Sequence, residues 1–443
     1  MFRACQTRWR LLVAALLMAT AGLAAEPAPE PSALPSVLTL ADAMALFRRQ
    51  GLDVLIAEAA VEGAEGDVQA AGAVPNPSLS GTFGKSFVCT DGCNFLPPAA
   101  FSVGLGDQNA IEDSLSGKRG LRLEVARAAL RAARLGRADA ERTGLALLKQ
   151  QFVLALVAQQ GVLTAQETAG DSAKFLELMN VRFRSGAVSE ADVARVETDS
   201  LEAQNSVASA QLQLRAAKLG LAFLLGVRSV VPEFRVEAPE LLLAFVPKEL
   251  SAATIDSLLT AALEARPDLQ AFKAQVERAD ASVRLAQRLV FPDIALSLSY
   301  AQQGTTATAI TPPTVTVGLT LTLPIFYQQQ GEIRRAEADA RTQLLSKAKT
   351  QAQVVSDVET AFVGYRVALE REQRMEGATG MVARARRARD LVEIQYQKGA
   401  ASLLDLLDAQ RTFRTIAFEA QSNLADYWTA VFRLEQAVGR TLQ

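Results

Sequence analysis

The chain contains no histidine. That removes the commonest general base, every Ser-His or Cys-His nucleophile pair and every His-ligated metal site. Few groups remain that could do chemistry. Cys89 and Cys93 sit together in Cys-Thr-Asp-Gly-Cys. In an exported chain that spacing favours a small disulfide across a turn over free or metal-bound thiols, since two thiolates alone leave a metal site incomplete. Ser116-Gly117-Lys118-Arg119-Gly120 carries the Gly-Lys pair of a phosphate loop, but Glu112 stands where the first glycine belongs and Arg119 where Ser or Thr should be. A solvated turn before a helix, with lipid-headgroup contacts open to Lys118 and Arg119, fits better. The other groups are carboxylates. Ser189-x-x-Asp192 and Ser402-x-x-Asp405 each follow a glycine and read as capping boxes, with the Asp held by free backbone N–H groups and the helix dipole. Asp408 lies one turn past Asp405, on the same face and beyond capping reach, and its repeat partner is Arg195. Such a pair either steers cations or sits on a solvated face. No catalytic residues, cofactor site or metal site can be assembled, so an enzyme is not expected.

Composition narrows the class further. Of 443 residues, 49% are hydrophobic, 21% charged and 6% aromatic, with 46 basic against 48 acidic side chains. This balance lacks the basic footprint of nucleic-acid binding. The length suggests two or three domains. Residues 1–25 have the layout of a secretory signal peptide: Arg3, Arg8 and Arg10, an apolar run from Leu11 to Leu23, then Ala24-Ala25. Cys5 lies among the arginines, which argues against lipid attachment there. A Pro-rich segment follows over 26–36.

These carboxylates must be positioned by long elements that occur twice. Val181 to Val193 lines up with Ile394 to Leu406 at an offset of 213 residues, and Pro77 with Pro292 at 215. The chain therefore reads as a duplication, 37–228 and 250–443, joined by a linker over 229–249. Each half runs helix, strand pair, two long helices. No proline interrupts 116–184 or 328–397. Val355, Val358, Phe362, Tyr365 and Leu369 step by three and four, the spacing of a coiled-coil seam. Some 65 residues give a rod about 100 Å long. Gly186 and Gly399 end the rods, and the next helix returns from each.

Four segments, about 77–88, 99–111, 292–301 and 313–325, alternate apolar with small polar residues. Leu79, Gly81 and Phe83 alternate with Ser78, Ser80 and Thr82; Val315, Val317, Leu319 and Leu321 alternate with Thr316, Gly318 and Thr320. This is the period-2 pattern of a sheet with one apolar face. Tilted strands of about 9–11 residues span an outer membrane. Four strands cannot close a barrel, and open edges are not tolerated in lipid. Closure demands copies, and the small Ser, Thr and Gly residues, which leave a lumen open, favour twelve strands from three chains over eight from two. A periplasmic coiled-coil adaptor or scaffold would share the helices and the signal, but it would need neither the membrane-facing alternation nor closure by copies.

The sequence resembles the TolC-like outer membrane factors over nearly the whole mature chain. The resemblance is carried by the duplication, Asn76-Pro77-Ser78-Leu79 before the first strand, Leu323-Pro324-Ile325-Phe326 after the fourth, and the repeated Gly…Ser-x-x-Asp turn. Ser116 to Gly120 resembles the branch serving heavy-metal and cation efflux. The resemblance implies an α+β membrane protein: a homotrimer with a closed 12-strand barrel, four transmembrane β-strands per chain, and a long periplasmic coiled-coil barrel. It implies the outer membrane, and as partners outer membrane lipid, a periplasmic adaptor and an inner-membrane pump of the resistance-nodulation-division type. It also implies roles. Asp405 and Asp408 match the acidic positions lining the periplasmic constriction. Two carboxylates about 7 Å apart repel by roughly 0.6 kcal/mol in water, and by more in a narrow mouth, so a ring of them attracts cations and resists closing. Asp192 and Tyr396 match members of the clasp holding the tips shut. The arginine expected of that clasp is Ala401 here, leaving Arg182 or Arg184 to substitute. Ser185, Gly186, Ala187 and Val188, with Lys398, Gly399, Ala400 and Ala401, match the tips that meet the adaptor.

Overall fold

A computed structural model describes residues 34–85, 99–251, 253–303, 311–375, 377 and 379–442. The signal peptide expected over 1–25, most of the Pro-rich segment, and the Cys89–Cys93 pair lie outside the described residues.

Strand β1 (Val37–Thr39) leads into helices α1 (Leu40–Gln50) and α2 (Leu52–Gly72), then strands β2 (Ser78–Lys85) and β3 (Ala99–Gly106). Helix α3 (Ala110–Leu115) precedes the long helices α4 (Lys118–Arg184) and α5 (Glu190–Leu224). Strand β4 (Arg235–Glu237) and helix α6 (Lys248–Ser251) cross to the second half. There α7 (Ile255–Ala265), α8 (Pro267–Arg288), β5 (Ile294–Gln303), β6 (Thr311–Leu321), α9 (Gln330–Met375), α10 (Met381–Gln397) and α11 (Leu403–Val438) repeat the succession.

Four expectations are corrected. Lys118, expected with Arg119 in a solvated turn open to lipid headgroups, is buried and ion-paired with Glu112 and Asp293, and Arg119 donates to the Gly72 carbonyl. The leading helix of each half is a pair of helices, broken at extended Gly51 and at Arg266. Pro267 biases Arg266 away from helical backbone and supplies no N–H of its own. The first rod is continuous, with 67 residues spanning about 100 Å. The second is not: α9 ends at Met375 and α10 begins at Met381, with Gly377 between them at φ +88°. Finally, the strand expected to reach residue 111 stops at Gly106. Gln108 and Asn109 take left-handed backbone, and the Asp107 carboxylate accepts from the amides of Leu296, Asn109 and Ile111.

Four strands form one antiparallel sheet in the order β2-β3-β5-β6, which leaves β2 and β6 as its edges. The linker is not a free tether. Its strand β4 pairs in parallel with β1, and Phe234, Val236 and Leu241 are buried in the main core. That core lies against the middle of α4 and the C-terminal ends of α5 and α11, where Phe47, Phe152, Tyr427, Trp428 and Phe432 are buried. Tyr427 donates to the carbonyl of Phe245 at 2.7 Å, and a buried Lys149–Glu435 ion pair at 2.6 Å ties α4 to α11. Phe47 seats its ring over Gly144, where a Cβ would overlap it.

Candidate functional site

Pairing in the sheet sorts the strand residues by face, because directly opposed residues share one. Leu79 pairs with Leu105, Leu105 with Leu298, and Leu298 with Val317. One row down, Ser80 pairs with Gly104, Gly104 with Ser299, and Ser299 with Thr316. Thus one face is apolar across all four strands and the other is small and polar. Among the described residues the strand side chains of this face stay open above its foot: Leu79 is 78% exposed and Val317 76%. In water, burying such side chains is worth about 25 cal/mol per Å². A face of this kind left bare marks a surface meant for a partner, either protein or lipid.

At the far end of the rods, each hairpin turns on a glycine in left-handed backbone, Gly186 at φ +75° and Gly399 at φ +76°. Both turns close alike. Ala187 N–H reaches the Arg182 carbonyl and Gly186 N–H that of Phe183; Ala400 N–H reaches Gln395 and Gly399 N–H reaches Tyr396. This is the Schellman closure, which needs an αL residue. Ser185, Gly186, Ala187, Lys398, Gly399 and Ala400 are exposed there, with Val188 and Ala401 half-buried.

The capping boxes form as expected. Asp192 accepts from Ser189 Oγ at 2.8 Å, and Asp405 from Ser402 Oγ at 2.7 Å and from Ser402 N–H at 2.9 Å. The Ser402 hydroxyl, followed by its amide, holds the Asp405 carboxyl below the ordinary carboxylate value. Asp408 is exposed one turn along α11 and takes no ion-pair or hydrogen-bond partner among the described residues.

Asp192 and Tyr396 line one cleft between the two tips, with Arg182 and Arg195. They do not bond each other. Asp192 pairs with Arg195 on its own helix at 3.4 Å, while Tyr396 donates to the thioether of Met179 at 3.6 Å. The Tyr396 ring also meets Phe175 edge-on and lies 5.9 Å from the Arg182 guanidinium. A small apolar cluster of Met179, Val196 and Leu403 backs this contact.

Two further ties were not expected from sequence. The buried carboxylate of Asp199 on α5 pairs with Arg414 on α11 and accepts from Ser172, and Glu202 pairs with Arg411 at 3.4 Å. A signal was present: Val196, Asp199 and Ala203 step by three and four and all are buried. A carboxylate on a seam calls for a cation opposite.

Among the described residues no cluster of His, Cys, Asp or Glu could hold a metal ion, and no helix is long and apolar enough to cross a membrane.

A family profile described as "Outer membrane efflux protein" matches residues 45–227 and again 258–440. The cobalt-zinc-cadmium resistance protein CzcC of Cupriavidus metallidurans is 25% identical over 416 residues, covering 91% of this chain and 90% of that one. The pyoverdine export outer membrane protein OpmQ of Pseudomonas aeruginosa is 26% identical over 385 residues, 83% of this chain and 77% of its own. Among solved structures, a membrane protein from Pseudomonas aeruginosa superposes with a TM-score of 0.76 at 18% identity, over 94% of this chain and 96% of that one.

Proposed function

This chain belongs to the outer membrane efflux protein family, and from that premise we propose how it works. It is the outer membrane exit duct of a tripartite efflux system, with a long periplasmic helical portion, and it performs no chemistry of its own. Three copies close a twelve-stranded barrel: β6 of each pairs with β2 of the next, so that no edge meets hydrocarbon. The apolar face turns to lipid and the Ser, Thr and Gly face to a wet lumen. The free outer edges of β2 and β6, on a sheet with one bare apolar face, carry this reading. A periplasmic adaptor would have no use for that face.

The chain's two repeats, 37–228 and 250–443, contribute one hairpin tip each. The turns 185–188 and 398–401 meet the adaptor, whose helices approach closely over glycine and alanine. Beyond the adaptor stands an inner-membrane pump of the resistance-nodulation-division type. Asp405 and Asp408 ring the mouth, while Asp192 and Tyr396, with Arg182 in place of the arginine absent at Ala401, hold the tips. The cargo is a heavy-metal cation: CzcC is a cobalt-zinc-cadmium resistance protein, and a carboxylate ring at the entrance favours cations.

Reconstitution in planar bilayers tests this. The mature protein is expected to conduct, with Asp408→Ala raising conductance or relieving block by divalent cations. A protein that stays water-soluble without detergent and forms no channel would overturn the duct; unchanged electrical behaviour of Asp408→Ala would remove Asp408 from the mouth.

A further inference from the structure

Helix α3 is amphipathic the wrong way round for water. Its two acidic side chains point inward: Glu112 is 7% exposed and lies 3.0 Å from buried Lys118, and Asp113 is 4% exposed and pairs with Arg122. Its apolar side chains point outward, with Ile111 at 49% and Leu115 at 81% exposed. A helix packed against a protein core in water shows the reverse. The direction it faces is set by what it lies on. Ile111 and Leu115 share a pocket with Phe291, Ile294 and Leu296, and Ile294 and Leu296 pair with Leu321 and Leu319 on the apolar side of the sheet. So α3 rests on the lipid side, at the foot of β3.

Its position answers a shortage. At its foot β3 ends at Gly106. At this end β5 runs on past the last paired residue of β3, Gly106 opposite Ser297, down to Ile294. Helix α3 packs where β3 no longer covers β5. Lys118 donates to the Phe291 carbonyl at 2.9 Å and to Asp293 at 2.6 Å, and Arg288 Nε donates to the Ser116 carbonyl, which fixes the helix to the strand root with its charges turned away from the surface.

We propose that α3 is a lipid-embedded foot of the barrel: Ile111, Leu115 and Phe291 continue the apolar belt below β3, and the groove they form with Ile294 and Leu296 holds an acyl chain of a phospholipid from the periplasmic leaflet. The partner is the surrounding membrane, and continuity with the bare apolar strand face is the reason for choosing it over a protein. The proposal rests on the membrane-duct reading, so its test carries a control for that reading.

Leu115→Trp and Val317→Trp would each be reconstituted in phosphatidylcholine vesicles with and without bromine on the acyl chains, the wild-type spectrum serving as the Trp428 baseline. Both sites are exposed within the chain, so neither substitution disturbs packing. The expected result is blue-shifted emission from residue 115 that loses most of its intensity in lipid brominated near the headgroup end of the chain and resists aqueous acrylamide. Emission from 115 that is quenched by acrylamide and not by bromine places the helix in water and overturns the proposal. Blue-shifted emission insensitive to both quenchers means that a neighbouring copy covers it, which also overturns it. In either case bromine quenching at 317 keeps the duct reading standing; loss of quenching at both sites would sink that reading too.

Discussion

Asp199 shows how a single side chain can hold two hairpins together. It sits on the seam of α5, buried, and its charge is tolerable only because Arg414 reaches it from α11. Removing one partner of a buried pair leaves an uncompensated charge, at a cost of about 3–5 kcal/mol, whereas removing both costs far less. Arg414→Ala is therefore expected to loosen the contact between the tips, seen as faster hydrogen exchange around Asp199 and more frequent channel opening. The double change Asp199→Asn with Arg414→Gln should recover much of the protection. If Arg414→Ala exchanges like wild type, the pair does not restrain the tips. Asp405 gives a pH dependence of definite sign. Its folded-state pKa is depressed by the Ser402 hydroxyl and amide, so its contribution is complete above the ordinary value of 3.8 and is lost as pH falls through the lower folded value. The first turn of α11 should fray only in strong acid, and Ser402→Ala, costing about 1 kcal/mol at the cap, should move that fraying into milder acid, as amide exchange of the first turn would register. A fraying profile that ignores Ser402→Ala would exclude the capping box as its cause. The capping boxes were legible because their spacing is local. The Asp199–Arg414 pair spans 215 residues, and no spacing rule reaches that far; only the misplaced charge on the seam hinted at it.

Among the elements, α4 is defined as much by what it omits as by what it buries. Alanine is a better helix former than glycine by about 1 kcal/mol, yet at position 144 a methyl group would overlap the Phe47 ring. Overpacking a well-filled core costs about 1–3 kcal/mol, so Gly144→Ala is expected to be net destabilising. Denaturant unfolding of the detergent-solubilised protein checks it; a gain in stability would mean that α1 does not seat against α4 as described. The rods, their glycine turns and the alternating strands could be read from periodicity, since 3.6 and 2 are distinct over a dozen residues. What periodicity missed has a local cause in each case. Helix α3 is too short to show a period, the left-handed Gln108 and Asn109 carry no glycine to advertise them, and the α9–α10 break at Gly377 falls inside a stretch free of proline. The linker read as a joint because of its prolines, while its apolar residues Phe234, Val236 and Leu241 proved to be core.

For the whole molecule, one chain is an unfinished object. Its sheet has two free edges and an apolar face whose strand side chains stay open, and the proposed acidic rings would take one Asp405 and one Asp408 from each copy. That four strands are too few could be counted in the sequence, because the hydrogen-bonding demand of hydrocarbon does not depend on side-chain detail. Which edge meets which could not, since strand order is a tertiary property; β2 and β6 emerge as the edges only once β3 is seen to pair with β5. Closure between copies, proposed from those two edges, is the claim on which the others depend. It can be tested with Thr82→Cys on β2 and Thr316→Cys on β6, in a chain whose Cys89 and Cys93 are replaced by serine. Within one chain these positions lie three strand spacings apart and two residues out of register, at least about 14 Å, whereas β6 of one copy laid beside β2 of the next in a register that opposes them would bring them to about 5 Å. A short bismaleimide added to membranes should convert the double variant into covalent dimers and trimers with nothing larger, and should leave either single variant uncrosslinked. A double variant that stays monomeric, or a ladder running past three, would contradict a barrel closed by three copies.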